Sequence, residues 1–523
     1  MLQFSGVRPS FDTPFAADTA ASGTRDDRCT RVSKHQRPDG VRVPDTRPNI
    51  IILQDDQHRW DALGCVNPLV KTPTLDSLAA SGIRFDQAVC QAPACVPSRY
   101  SMMLGRYPSQ TGVRTNGECL TDDALPGPTI AQLLQKAGYQ TTGFGKTHWS
   151  SPGCSTRGFD VRAIGQPRES KLYEQGATMM SDLNPEGLAD YFRETDPFGG
   201  GEESVDGYVG CTSELPAENH RDGWITQQCL DFLDGRDDTS PLFLYLSYLK
   251  PHAGLNIPAG FEDLYDLDDI PDMNNPAWPE DRPGHALRSD KRMAFFRDAS
   301  PEVRRRTILR YWANCSWIDS MFGQVMAKLE ELGLLENTLI LYLSDHGEML
   351  GDHYYRFTKY CLYEASVRVP MIVAGDCLSP ELRNAIDSRP AEIVDILPTI
   401  LDAAGLASQD DLPGQSLLGP TDRKGTFSEH HTGTHPYNSA AYMWRTETAK
   451  LILYTDASPA TSPADDGHHH GELYDLEADP NEWTNLYDDP EYADLRETMT
   501  QGLLDYQIHT RSHSPKADRV KRV

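Results

Sequence analysis

The stretch Cys95-Val96-Pro97-Ser98-Arg99, followed by Leu104-Gly105-Arg106, places a thiol, a guanidinium and a predicted helix start within one turn of each other. Proline's fixed φ suits a first helical turn, so Pro97 predicts a helix over Ser98 to Leu104. Cys95 then sits at the helix N-terminus, where unpaired backbone N–H groups favour an anion. Arg99, one turn on, can reach back with a fork that matches a tetrahedral oxyanion. A thiol in that setting has a depressed pKa and good reactivity. The competing reading is a small buried cysteine packed beside a capping proline.

Four other short segments carry chemistry. Asp55-Asp56-Gln57 ends the run Pro48 to Gln54; adjacent carboxylates repel each other, and a hard divalent cation is one common way to hold them. A solvated turn is the alternative. Lys146-Thr147-His148 puts a lysine and a histidine on one face of an extended segment, although Lys-x-His is often plain surface. Lys250-Pro251-His252 holds a histidine rigidly after a proline, a posture for a proton donor or an anion ligand, or for a half-buried cap. Asp345-His346-Gly347-Glu348 offers an oxygen and an imidazole to one divalent ion.

The elements needed to position these residues are legible. Ile50 to Leu53, Tyr139 to Phe144, Pro241 to Tyr248 and Leu339 to Ser344 are short apolar runs of the kind that form buried parallel strands. Each delivers one of the segments at its carboxyl end, where ligand sites in open α/β sheets lie. Helices are predicted over Thr74 to Gly82, Pro128 to Gly138, Trp224 to Leu233, Pro301 to Leu332 and Asp395 to Gly405, and Ile83 to Val89 alternates as one strand. Residues 153–220 and 258–300 are polar, Pro- and acid-rich excursions, expected to rim a site. A polar loop runs from Gly351 through His353, a rim candidate, to Lys359. From about Leu412 the strands shorten, and a last helix spans about Ala493 to Ile508. The His468-His469-His470 run reads as part of a loop.

With 523 residues, the chain exceeds one ordinary core. Its 77 acidic against 49 basic residues give a net charge of −28, which argues against nucleic acid or anionic membranes as partners. Any anion site must be a local basic pocket, and the scarcity of lysine makes Lys146, Lys250 and Lys359 stand out. The 11 cysteines include no CxxC and read as reduced thiols, which predicts a cytoplasmic protein. Residues 1–47 have no apolar core segment, so neither a secretion signal nor an anchor is expected there, and no apolar run is long enough for a membrane span.

Taken together, the five segments resemble the type I sulfatases of the alkaline-phosphatase superfamily, over roughly residues 48–505. C-x-P-S-R is complete, and Leu104 departs from the small hydroxyl residue usual there. The strand-borne Asp55-Asp56, the Gly145-Lys146-Thr147-His148 segment, Lys250-Pro251-His252 and Asp345-His346 match in order. Glu472-Leu473-Tyr474-Asp475-Leu476 through Asp479-Pro480-Asn481-Glu482 resembles the family's C-terminal subdomain. The resemblance implies an α/β fold, a large mixed and mostly parallel sheet sandwiched by helices, with a small C-terminal α+β subdomain. Within it lie a catalytic domain (48–411) and a subdomain (412–510); the polar composition of residues 1–47 predicts a disordered leader, and 511–523 a flexible tail.

The resemblance also implies that Cys95 is oxidised to formylglycine (3-oxoalanine) by a formylglycine-generating enzyme, its hydrate being the nucleophile. One divalent metal, calcium first with magnesium or manganese as alternatives, would be held by Asp55, Asp56, Asp345, His346 and the modified Cys95. Arg99, His148 and His252 would be catalytic, and Lys146, Lys359 and His252 would bind sulfate. The expected substrate is a small-molecule or saccharide sulfate ester. Two alternatives stand beside this reading. One is a phosphonate monoester or phosphodiester hydrolase of the same superfamily, which His346 allows but Lys146 and His148 disfavour. The other is a non-catalytic binding protein on the same scaffold, against which the intact motif and acidic pairs argue.

Overall fold

The computed structural model describes residues 30–31, 47–148, 153–165, 174–180, 207–213, 215–237, 239–273, 275, 291–409, 411–431, 440–454, 471–510 and 520–521. The histidine run at 468–470 and parts of both polar excursions lie outside them.

Apolar runs form the centre, as expected. Strands β1 (Asn49–Asp56), β2 (Ile83–Phe85), β3 (Gln140–Gly145), β4 (Val161–Ile164), β5 (Leu242–Pro251), β6 (Thr338–Ser344), β7 (Met371–Ala374) and β8 (Ala385–Asp387) share one sheet. Among the described residues the sheet has 10 strands, in the order Thr30–Arg31, β8, β2, β7, β6, β1, β5, β3, β4, Thr178–Met179. Only β7 runs antiparallel to its neighbours. The sheet is therefore mixed and mostly parallel.

Helices α1 (Pro73–Ser81), α2 (Cys95–Leu104), α3 (Arg221–Asp234), α4 (Pro301–Glu331) and α5 (Ile396–Ala403) cover it. The alternation of β1 divides the core in two. Ile50 and Ile52 pack with α2 and α5, through Val96, Tyr100, Ile396 and Ile400. Ile51 and Leu53 pack on the other face with Ile225 of α3 and Trp317, Ile318 and Phe322 of α4. Burial of both faces explains why these strands read as continuous apolar runs. No helix among the described residues is long and apolar enough to cross a membrane.

A second, four-stranded antiparallel sheet holds β9 (Thr426–His431), β10 (Ala440–Arg445), β11 (Ala449–Tyr454) and β12 (Gly471–Asp475). Helix α6 (Ala493–Thr510) packs on it through Met499 and Leu503 against Trp444 and Leu451.

Two local expectations change. The segment Ile83 to Val89 is not one strand, because Ala88–Val89 leaves the large sheet to pair with Ala391–Glu392. The nucleophile helix starts at Cys95 rather than Ser98, since Ala94 is still extended and Cys95 already helical.

Candidate active site

Strand register assembles the site. Ser344 of β6 pairs with Asp55 of β1, so Asp345 and His346 leave the sheet beside Asp56. On the other flank Ser247 of β5 pairs with Gln54 and with Gly145 of β3. Gly145 has φ +92°, and a Cβ there would lie 1.8 Å from the Ser247 carbonyl oxygen. Only glycine permits the close turn that delivers Lys146 and His148.

Cys95 is 2% exposed, at the N-terminus of α2. Its Sγ lies 3.0 Å from Lys359 Nζ, 3.3 Å from His346 Nε2 and 3.8 Å from Asp56 Oδ1. His148 and His252 also hydrogen-bond the sulfur. Burial alone would push the thiol up, but Lys146, Lys359 and His346 outweigh it and hold Cys95 well below the ordinary thiol range. The bland reading of Cys95 as a packing residue does not account for two lysines and three histidines around one sulfur.

Asp56 accepts from Lys146 Nζ and, at 3.0 Å, from Arg99. Burial would raise its pKa, and the charge of Cys95 adds to that rise, yet Lys146, His252 and Arg99 hold the carboxyl well below its usual range. Asp345 accepts from Arg99 Nε at 2.7 Å and from the Gln57 N–H at 3.1 Å. Burial still pushes its carboxyl up to about 6. His346 shares its Nδ1 proton with the Gly347 carbonyl oxygen at 2.9 Å, which turns Nε2 toward Cys95.

One ligand atom each from Asp56, Cys95, Asp345 and His346 lies within 4.8 Å of the others, all four residues buried. Asp55 falls outside that group. Strand alternation turns its Oδ2 to the opposite face, onto His58 Nδ1 at 2.6 Å and Tyr342 OH at 2.9 Å. Its Oδ1 is buried without a hydrogen-bond partner among the described residues. The donor set of Asp56, Asp345, His346 and the group at position 95 fits one divalent cation, and the Asp55 oxygen is a buried polar atom that the described residues leave unsatisfied.

Arg99 differs from its expected role. Its fork is occupied by Asp345, Asp56, Ser247 Oγ at 2.8 Å and the Lys146 carbonyl oxygen at 2.6 Å, and the residue is fully buried. It binds the carboxylates and the Lys146 turn together rather than reaching for an oxyanion. Lys359 stands at the sulfur, and Lys146 reaches Asp56 next to it. His252, 30% exposed, is the open member of the set, with Nε2 3.9 Å from Asp56 Oδ1. Lys250 points away, its ammonium donating to the Gly254 carbonyl oxygen. His353, expected at the rim, is 5% exposed and stacks on Tyr363 at 3.9 Å.

Sequence reasoning missed the supports. Arg162 donates to the Gly143 and Gly145 carbonyl oxygens, to Thr147 Oγ1 at 3.1 Å and to Glu174, clamping the Lys146–His148 turn. Nothing in the spacing of Arg162 and Glu174 signals this pair. Gln57 could have been found, since it follows the two acids directly.

The family model described as Sulfatase matches residues 48–406, more than half of the chain. The chain belongs to the sulfatase family. A second model, described as N-sulphoglucosamine sulphohydrolase, C-terminal, matches residues 351–509. The sulfatase is 29% identical to an arylsulfatase of Clostridium perfringens over 472 residues, covering 86% of this chain and 92% of that one. Its fold is shared with a protein solved in complex with its substrate D-glucosamine-2-N,6-O-disulfate (TM-score 0.68, 23% identity, 90% of this chain and 99% of that one). It is shared as well with a phosphonate monoester hydrolase from Silicibacter pomeroyi (TM-score 0.69, 23% identity, 91% and 99%). The protein is thus a sulfuric ester hydrolase, and the binding-protein alternative falls away.

Proposed function

We propose that this sulfatase removes sulfate from a saccharide, using a formylglycine made from Cys95 and one divalent metal. The observation that carries the proposal is the composition of the shell around Cys95. Lys146, Lys359, His148 and His252 gather around it together with Asp56, Asp345 and His346. A maturation enzyme of the formylglycine-generating type, drawing on an external oxidant, would convert the thiol-bearing carbon to an aldehyde with loss of the sulfur, and the hydrate of that aldehyde would supply a nucleophilic hydroxyl. Asp56, Asp345, His346 and Asp55 through its orphaned Oδ1 would hold the metal, calcium first, which supplies Lewis-acid activation of that hydroxyl.

The chain's own residues do the rest. Lys146 and Lys359 offset the charge of the bound sulfate in a buried setting, where such contacts are worth most. His252, the exposed edge of the site, donates a proton to the departing alcohol oxygen. His148 exchanges a proton with the hydroxyl at position 95. Arg99 keeps the two acids from repelling each other and holds them in register with α2. Ten free thiols among the described residues support a reducing, cytoplasmic location as part of the same proposal.

The saccharide reading draws on the glucosamine disulfate complex of the structural relative. Sulfate released from N- or O-sulfated glucosamine by the matured enzyme tests it. Faster turnover of an aryl phosphonate monoester than of the matching aryl sulfate would replace it with phosphonate hydrolysis.

A further inference from the structure

Beside the site, a buried polar chain runs from Glu348 through Gln57 to Lys359, all three residues at most 2% exposed. Gln57 Oε1 accepts from Lys359 Nζ at 2.7 Å. Gln57 Nε2 donates to Glu348 Oε2 and lies 3.3 Å from Tyr208 OH, which itself donates to Glu348 at 3.1 Å. The other carboxylate oxygen, Oε1, accepts from the N–H groups of Leu350 at 2.9 Å and Thr358. It thereby closes both ends of the segment that delivers Lys359.

Chemistry leaves the Gln57 amide one orientation. An ammonium only donates and a carboxylate only accepts, so the amide oxygen must face Lys359 and the nitrogen Glu348. The backbone is fixed as firmly. Gln57 has φ +69°, uncommon for a residue with a side chain. Its N–H donates to Asp345 Oδ1 at 3.1 Å and its carbonyl accepts from Tyr311 OH at 2.7 Å.

We propose that Gln57 is a positioning residue, whose amide, oriented by Glu348, aims the Lys359 ammonium at residue 95 and its sulfate. Lysine is a compact charge on a flexible four-carbon stem. With one N–H on Gln57 and another toward residue 95, tetrahedral geometry fixes the direction of the third. This inference rests on Lys359 as a sulfate ligand.

The two side chains invite an exchange. Glu348→Gln can keep its oxygen on Leu350 and Thr358, but turns an NH2 group toward the Gln57 NH2 and forces that amide to flip against the ammonium. Gln57→Glu sets two carboxylates face to face. The double variant Gln57→Glu/Glu348→Gln restores a donor facing an acceptor and an acceptor facing Lys359. Each single variant is expected to lose about 10- to 100-fold in kcat/KM on an aryl sulfate, the usual cost of removing a group that orients a ligand. The double variant should recover to within about three-fold of wild type, by the coupling of neighbouring groups. Melting temperatures verify that each variant is folded. Single variants with wild-type activity, or a folded double variant no better than the worse single one, would overturn the inference. If Glu348→Gln does not fold, Gln57→Met carries the test, and wild-type activity there overturns it equally. Lys359→Met, measured in parallel, separates the two readings. Retained activity in that variant sinks the role of Lys359 itself, whereas its loss beside unaffected Gln57 variants sinks only the positioning role.

Discussion

Asp345 serves two demands that pull its proton in opposite directions. Burial pushes its carboxyl up to about 6, yet a cation needs it ionised. Proton and metal therefore compete, and metal affinity should weaken as pH falls through about 6, with Asp345→Ala losing both metal and activity. Metal content measured across that pH range checks this; full occupancy in Asp345→Ala would show the ligands to be others. His252 makes a second test. Burial and then Lys359 lower its pKa from the ordinary 6.5, so it is a strong acid once protonated. With metal kept saturating, the rate on poor alkyl leaving groups should rise as pH falls below that value, and His252→Ala should slow those substrates far more than an activated aryl sulfate. Equal losses would make it a sulfate ligand only. The groups that the structure gathers around Cys95 were legible, because carboxylates, lysines and histidines fall together at the carboxyl ends of apolar strand runs. Arg99 was misjudged because sequence shows a guanidinium's reach but not which buried acids surround it.

At the scale of elements, the site depends on four strand ends lying side by side. Their apolar runs were readable since the strands are buried on both faces, whereas Ile83 to Val89 misled because two short strands of different sheets share one alternating pattern. The start of α2 was placed too late because proline fits any of the first helical positions. Gly145 is the position where element and site meet. Gly145→Ala requires a Cβ to overlap the Ser247 carbonyl at a φ that side chains avoid. Removing Lys146 and His148 from their places should cost at least about 100-fold in kcat/KM, on the scale of a 1 Å misplacement. The variant's activity beside its melting temperature checks this; near-normal activity would mean the turn is not what positions those residues.

At the scale of the whole molecule, a buried ionic cluster ties the four-stranded sheet to Glu364. Arg445 and Lys450 of the small sheet bind Glu364 at 2.8 and 2.7 Å, and Lys450 also binds Glu482 at 2.6 Å. Glu482, in the Asp479-Pro480-Asn481-Glu482 segment that resembles the family's C-terminal subdomain, also accepts from the Glu364 N–H at 2.7 Å, 118 positions away in the chain, a pairing that no local pattern signals. Lys450→Met leaves two buried carboxylates short of a partner and should destabilise by about 3–5 kcal/mol in denaturant unfolding; a change under about 1 kcal/mol would show the cluster to be incidental. The central claim, that a modified Cys95 hydrolyses sulfate esters, is met most directly by one assay. Aryl sulfate turnover is measured on protein made with and without a formylglycine-generating enzyme, against the aldehyde content of the Cys95 peptide by mass spectrometry. Turnover should rise in proportion to the aldehyde fraction and vanish at zero. Full turnover by the unmodified thiol would contradict it.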